Sequence, residues 1–412
     1  MYIKNLSVQN FKSFKGFKNL KFLYPKIENT HLKQDFDVDD VRYPNINVVL
    51  GNNSTGKTAF LKAIALSTLG PGIKQLNIDP FMLVRRAPGE DHTSGFLSAY
   101  FESNEQDKVH YGRVESSIQV EIEQGTKDKI EWIHPQTKGW HPVFDKDPAA
   151  MFMVGYGASR TVELPERFNP DHRRSNELIR INKVRSLFEE TYQLIPLDAW
   201  LPEMETNNPG RYKQIKGLLA KITGEDHFQF TGKLVDDQYI FEREGSLIPF
   251  KALSDGYRAF LGWVGDLLFH IEQSCPSGKK LVDNEGIVLI DEIDLHLHPE
   301  WQMKILPLLA DALPNIQFFV TTHSPLVVGS IEWQNIIYLK RDEEKGSFPV
   351  RDKRNTYGLD SDQILVSDLF GLKSTRNDAV ADELRILSFK ASTGDKAARK
   401  KLMKLMTKGD KL

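Results

Sequence analysis

Gly51-Asn52-Asn53-Ser54-Thr55-Gly56-Lys57-Thr58 is a complete G-x-x-x-x-G-K-[ST] phosphate-binding loop. Such a loop turns backbone N–H groups inward at the positive end of a helix, where they hold phosphate oxygens. On that chemistry Lys57 reaches the β- and γ-phosphates of ATP, and Thr58 offers its hydroxyl to Mg²⁺. A pair of acids fits the same reaction. The apolar run Gly286-Ile287-Val288-Leu289-Ile290 ends in Asp291-Glu292. A buried strand needs a reason to end on two carboxylates, because an unpaired buried carboxylate is costly. Asp291 is expected to share the metal with Thr58, and Glu292 to act as general base on the attacking water. Another apolar run, Asn315 to Val320, leads into Thr321-Thr322-His323-Ser324-Pro325. That places His323 just past a strand tip, where it can contact the γ-phosphate.

Leu253-Ser254-Asp255-Gly256 opens a helix that includes Ala259 to Ile271. Ser254 or Asp255 suits its N-cap. Two readings stay open: a capped amphipathic helix, or a helix whose positive end and Ser254 hydroxyl meet the γ-phosphate of an ATP bound elsewhere.

These residues need elements to carry them. Ile46 to Leu50 reads as a buried strand before the loop, and Ala59 to Leu66 as a strong helix former after it, the helix running to about Leu69 and closing at Pro71-Gly72. Tyr2 to Val8 alternates as a strand and turns at Asn10 to Phe14. Asn29 to Pro44 is polar and acidic and reads as an inserted loop. Gly95 to Phe101 and Tyr111 to Ile133 predict an antiparallel sheet. Met151 to Gly157 predicts a core strand running into a glycine bend. Ser175 to Thr223 reads as helical, broken at Pro196, Pro202 and Asn207-Asn208-Pro209-Gly210. Phe228 to Phe241 suggests a hairpin. From Leu253 onward, helices and strands alternate, which implies a parallel sheet.

The 412 residues suffice for two or three domain-sized units, with 40% hydrophobic and 27% charged residues as in a soluble globular protein. One cysteine, Cys275, rules out a disulfide framework and suits a reducing compartment. A net charge of −2 confines any nucleic-acid surface to a local patch. The first residues lack an apolar core for a signal peptide, and no apolar run reaches membrane-spanning length, so a cytoplasmic protein off the membrane is expected.

Taken together, the phosphate loop, Leu253-Ser254-Asp255-Gly256, Asp291-Glu292 and His323 resemble, in kind and order, the ABC-type ATPases, specifically the soluble branch of SMC, RecF and OLD proteins. Asn10-Phe11-Lys12-Ser13-Phe14 looks like the turn that borders the nucleotide in that branch, which implies Lys12 and Ser13 as nucleotide contacts. Asp291 to Pro299 is similar to the DEPE-x-x-LHP pattern of OLD-like and bacterial defence ATPases, with Ile293 and Asp294 in place of Pro and Glu; Asp294 falls at the D-loop. Asp255 stands where transporters usually have Gly. No Gln-loop residue is identifiable, Gln119 and Gln136 being candidates. The resemblance covers residues 1 to about 375 and implies an α/β ABC-type head with an antiparallel β subdomain and a helical signature subdomain. The expected division is 1–155, 156–252, 253–375 and a basic tail, 376–412. It also implies dimerisation or higher assembly, with Ser254 and Gly256 of one chain closing over ATP on another.

Two absences narrow the branch. No sustained heptads bridge the two nucleotide halves, and only 89 residues follow His323, without a Toprim arrangement of acids. The chain therefore looks like the ATPase subunit of a two-gene antiphage system of PtuA or AriA type, its nuclease or toxin a separate protein. A DNA repair or clamp ATPase that binds DNA directly is the alternative, and a transporter subunit fits less well.

Three other groups stand apart. His296 and His298, with His323 and Glu300, suggest a metal site, but a D-loop leading into a helix at Pro299 accounts for them better. Arg160, Arg167, His172, Arg173, Arg174, Arg180, Lys183 and Arg185 form a basic stretch, either a solvated face or a surface for partners or nucleic acid. Arg160, beside a glycine bend, is the one most suited to phosphate. Lys390 to Leu412 predicts a short basic helix that docks on a partner, binds nucleic acid or stays solvated.

Overall fold

The computed structural model of the chain describes residues 1–70, 73, 82–103, 107, 113–133, 151–163, 179–224, 229–236 and 238–406. It contains two compact units, Met1–Gly358 and Leu359–Leu412.

The first unit is built on one long sheet. Its parallel part comprises β3 (Ile46–Gly51), β7 (Met153–Tyr156), β11 (Gly286–Ile290), β12 (Ile316–Thr321) and β13 (Ile336–Asp342), in the order β7-β11-β12-β3-β13. All residues of β3, β7, β11 and β12 are buried, as expected for strands covered on both faces. Beyond β13 lies β14 (Gly346–Val350), antiparallel to it, and then β2 (Phe14–Lys21), which is parallel to β14. The rest is the antiparallel meander of β1 (Tyr2–Phe11), β4 (Ser94–Glu102), β5 (Arg113–Gln124) and β6 (Lys127–Trp132). Burial alternates residue by residue along β4, so that one face carries the core. The α/β head with an antiparallel β subdomain is thus the observed architecture.

The helix that follows the phosphate loop, α2 (Lys57–Leu69), joins both halves of this sheet. Phe60 meets the rings of Phe14, Phe17 and Phe22, and eleven of its thirteen residues are buried. A helix apolar all round needs cover on all sides.

Two expectations are corrected. Asn29–Phe36 is a helix, α1, and not a loop. Leu32 and Phe36, one turn apart, bury against Tyr2, Leu23 and Tyr24, and that one-sided contact outweighs a polar composition. Pro202 does not break its helix: α4 (Leu197–Asn207) runs through it. Trp200 and Leu201 are buried beside the proline, and Trp200 packs edge-on to Phe269, so tertiary packing overrides local propensity. The other helices of the insert are α3 (Ile179–Phe188) and α5 (Pro209–Thr223). The predicted hairpin gains a third strand: β8 (Gln229–Val235), β9 (Gln238–Arg243) and β10 (Ser246–Pro249) form a separate sheet. The helix α6 (Asp255–Ser274) then leads to β11; α7 (Pro299–Ala312) lies between β11 and β12, and α8 (Pro325–Gly329) follows β12. Pro71-Gly72 lies outside the described residues.

The second unit holds α9 (Ser361–Leu365), α10 (Asp378–Ser392) and α11 (Lys396–Met406). Glu383 of α10 pairs with Lys401 of α11 at 2.6 Å. The predicted basic helix is α11. Among the described residues no helix is long and apolar enough to cross a membrane.

Candidate functional site

Parallel pairing brings the chemistry together. Val320 lies opposite Val48, Leu289 opposite Phe319, and Ile290 opposite Tyr156. The carboxyl ends of β3, β12, β11 and β7 therefore lie side by side, which is where open α/β sheets bind ligands.

The phosphate loop is folded tightly on itself. Ser54 and Gly56 have φ of 63° and 98°. Thr55 closes the turn, its N–H and its hydroxyl both donating to the Asn52 carbonyl, at 3.3 and 2.8 Å. A Cβ at Gly56 would strike the Ser13 hydroxyl, which itself donates to the Thr55 carbonyl at 3.3 Å. Ser13 is thereby seated on the loop, and the turn that bears it is held by the Lys12 N–H on the Leu83 carbonyl at 2.7 Å. The Lys12 ammonium is pulled down in pKa by burial and by Lys62 nearby. Lys57 is buried and folds back to donate to the carbonyls of Gly51, at 2.9 Å, and Asn52, at 3.4 Å. Burial lowers its pKa, against the pull of Asp291, Glu292 and Asp294.

Across from the loop, one hydrogen-bonded chain links four predicted and unpredicted residues. Thr58 Oγ1 donates to Asp291 Oδ2 and Thr321 Oγ1 donates to Asp291 Oδ1, each at 2.6 Å. The Thr321 hydroxyl in turn accepts the Glu292 N–H at 2.7 Å. The paired oxygens of Thr58 and Asp291 are hard donors of the kind Mg²⁺ prefers, so the donor set fits that ion. Asp294 is tied to the neighbouring strand, accepting from the Thr322 hydroxyl at 2.6 Å. His323 is exposed at the strand end. Its pKa is lowered by partial desolvation and by Lys57, so the imidazole is neutral near pH 7.

A lowered pKa means that the folded protein binds this proton less readily than the unfolded chain, so His323 favours the fold above its unfolded pKa and opposes it as pH falls through its folded one. In histidine-selective NMR the His323 ring should titrate below the usual ~6.5, and Lys57→Ala should move that midpoint up. A midpoint at or above the usual value would contradict this electrostatic picture.

Lys57, Thr58, Asp291, Glu292 and His323 are thus assembled in one chain. Ser254 and Gly256 lie elsewhere. Ser254 is the N-cap of α6, but its hydroxyl makes no capping hydrogen bond. A Cβ at Gly256 would collide with the His296 carbonyl, so the turn at Ser254–Gly256 packs directly on the backbone at His296. Ser254 and Gly256 line a cavity of about 490 Å³ with Tyr257, Phe260, His296 and Trp301, and no residue of the phosphate loop lines it.

Thr321 and Thr322 were legible only as polar residues ending a buried strand; their work on Asp291 and Asp294 appears only in three dimensions. Tyr156 was legible only as part of a core strand, with no signal of a role beside the site. Its carbonyl accepts the Asp291 N–H and its hydroxyl donates to the buried Asp266 of α6, both at 2.8 Å. Arg160 donates from Nη2 to the Glu292 carbonyl at 2.6 Å. Of the rest of the basic stretch, only Lys183 and Arg185 have described side chains, and they serve different local contacts. Arg185 pairs with Glu189 one turn away, and Lys183 is buried, bonded to Ser274 and set over the Phe152 ring. Arg167, His172, Arg173 and Arg174 lie outside the described residues, as does Gln136. Gln119 is on β5, in the antiparallel part of the sheet. His298 is the N-cap of α7, its Nδ1 accepting from the Glu300 N–H at 3.4 Å.

With this geometry established, likeness to known proteins adds the family. Residues 46–329 match the family described as "AAA domain, putative AbiEii toxin, Type IV TA system". The chain belongs to that AAA-domain family. The chain is 24% identical over 377 residues to the Septu protein PtuA of Bacillus mycoides (strain KBAB4), spanning 92% of this chain and 46% of that protein. It is 47% identical over 92 residues to the Retron Ec83 probable ATPase of Escherichia coli, 22% of this chain and 17% of that one. The chain therefore spans less than half the length of these relatives. The expected likeness to PtuA is met. An SMC head, solved bound to the C-winged helix domain of ScpA, matches with a TM-score of 0.50 and 15% identity over 85% of this chain and 98% of that one. The fold of this AAA-domain protein is that of SMC heads.

Proposed function

We propose that the protein is an ATP-hydrolysing switch that works as a dimer or higher assembly through shared ATP sites and controls a separate effector, a nuclease or toxin, in antiphage defence. One observation carries the reading. Lys57, Thr58, Asp291, Glu292 and His323 converge on one place, whereas Ser254 and Gly256 of the same chain open on a cavity that excludes the phosphate loop. A signature turn with a free capping hydroxyl and no phosphate loop of its own to serve suits a second chain. The relatives' Septu and retron names support the defence setting.

In this reading the loop from Gly51 to Thr58, with Lys12 and Ser13 at its border, binds the phosphates. Thr58 and Asp291 hold Mg²⁺, which neutralises phosphate charge when bound. Glu292 takes the proton of the attacking water, and His323, neutral near pH 7, faces the γ-phosphate as donor or acceptor. Ser254 and Gly256 of the partner chain close the site. Hydrolysis then reopens the assembly, because the closed state binds ATP better than ADP.

Complementation tests the shared site. Lys57→Ala and Ser254→Arg chains should each be inactive alone. Mixed, they should recover about a quarter of the wild-type ATPase rate if pairing is random and sites act independently. No recovery, or full activity in a strictly monomeric protein, would exclude it.

A further inference from the structure

We infer that Arg160 is a positioning residue that holds the general base Glu292 in its working conformation from the end of β7. The inference rests on the assignment of Glu292 proposed above.

Glu292 has a φ of 49°. A non-glycine residue in this left-handed region is strained and persists only where its surroundings impose it. Here both flanking peptides are clamped. The Glu292 N–H donates to Thr321 Oγ1 at 2.7 Å, and the Ile293 N–H donates to the Thr321 carbonyl at 2.9 Å. The Glu292 carbonyl accepts from the Leu295 N–H at 3.0 Å and from Arg160 Nη2 at 2.6 Å. Three of these four contacts come from backbone or from the adjacent strand. Arg160 alone reaches in from the far side of β11, from a segment more than a hundred residues earlier in the chain. Its hydrogen bond is charge-assisted and so is the strongest kind available to a carbonyl.

The sequence builds this reach deliberately. Gly157, just past β7, lies so close to α3 that a Cβ there would collide with the Ser186 carbonyl. Only a glycine lets the chain pass, and Arg160 then turns back over β11. The guanidinium also feels the carboxylates of Asp291, Asp294 and Glu292, while burial depresses its pKa to about 10. It therefore stays charged at neutral pH, a fixed cation among three acids. A guanidinium bonded to a carbonyl of its own chain has a different task from one waiting for phosphate. The first orients the base; the second binds substrate. The two tasks predict different kinetics.

ATPase kinetics and nucleotide affinity of the full chain separate them. Arg160→Ala should lower kcat about 10- to 100-fold, the scale expected when a catalytic group loses its placement, with ATP affinity changed by less than about twofold. Arg160→Lys, which keeps the charge and one donor, should recover part of the rate. In a Glu292→Gln background, Arg160→Ala should cost nothing further, because there is no base left to place. A large loss of ATP affinity in Arg160→Ala would make it a phosphate ligand and overturn the inference. So would a multiplicative loss in the double variant, the mark of a structural role alone. A slow Glu292→Gln beside a fully active Arg160→Ala sinks only the role of Arg160. A fully active Glu292→Gln sinks the base assignment, and the inference with it.

Discussion

Glu292→Gln should slow ATP hydrolysis by about 10²- to 10⁴-fold, the usual contribution of a general base, while ATP remains bound and the assembly stays closed. The substitution is nearly isosteric. The local fold should survive it, because Glu292 is held through its peptide groups, by Thr321, Leu295 and Arg160, and not through its carboxylate. Only the proton acceptor is lost. Single-turnover hydrolysis, nucleotide retention on a desalting column and the size of the ATP-bound species by light scattering would read the three parts of this result. Hydrolysis at the wild-type rate would remove Glu292 from the reaction.

Lys57→Ala should act at the preceding step and weaken ATP binding by about 10²-fold, which corresponds to the ~1.5–3 kcal/mol typical of a hydrogen bond to a charged group. Among the described residues the Lys57 ammonium donates to the Gly51 and Asn52 carbonyls. Its pKa is lowered by burial, so the folded chain binds that proton less firmly than the unfolded one, and at neutral pH the charged group opposes folding. Lys57→Ala should therefore leave the melting temperature of the ligand-free protein unchanged or raised, even as affinity falls. Titration with a fluorescent ATP analogue, beside a thermal melt, measures both. Unaltered affinity would show that the loop does not grip phosphate through Lys57.

Much of the site's layout was legible because it is local. The phosphate loop, its strand and its helix are contiguous, and Asp291-Glu292 and His323 each follow a short apolar run whose burial in a parallel sheet was predictable from composition. Local polarity misled at Asn29–Phe36, where only Leu32 and Phe36 carry the burial, and local propensity misled at Pro202, where the neighbours Trp200 and Leu201 anchor the helix.

By itself the sequence determined which groups are present and at which element ends they sit, since spacing and periodicity are properties of one segment at a time. Only the tertiary structure decided what those groups hold. Thr321 reaches Asp291 and Glu292 across a strand boundary, Arg160 reaches Glu292 from another segment altogether, and Ser254 lines a cavity that no residue of the phosphate loop lines. Such contacts depend on which strands become neighbours, and that order is chosen by burial of the whole sheet around α2, not by the residues that do the chemistry.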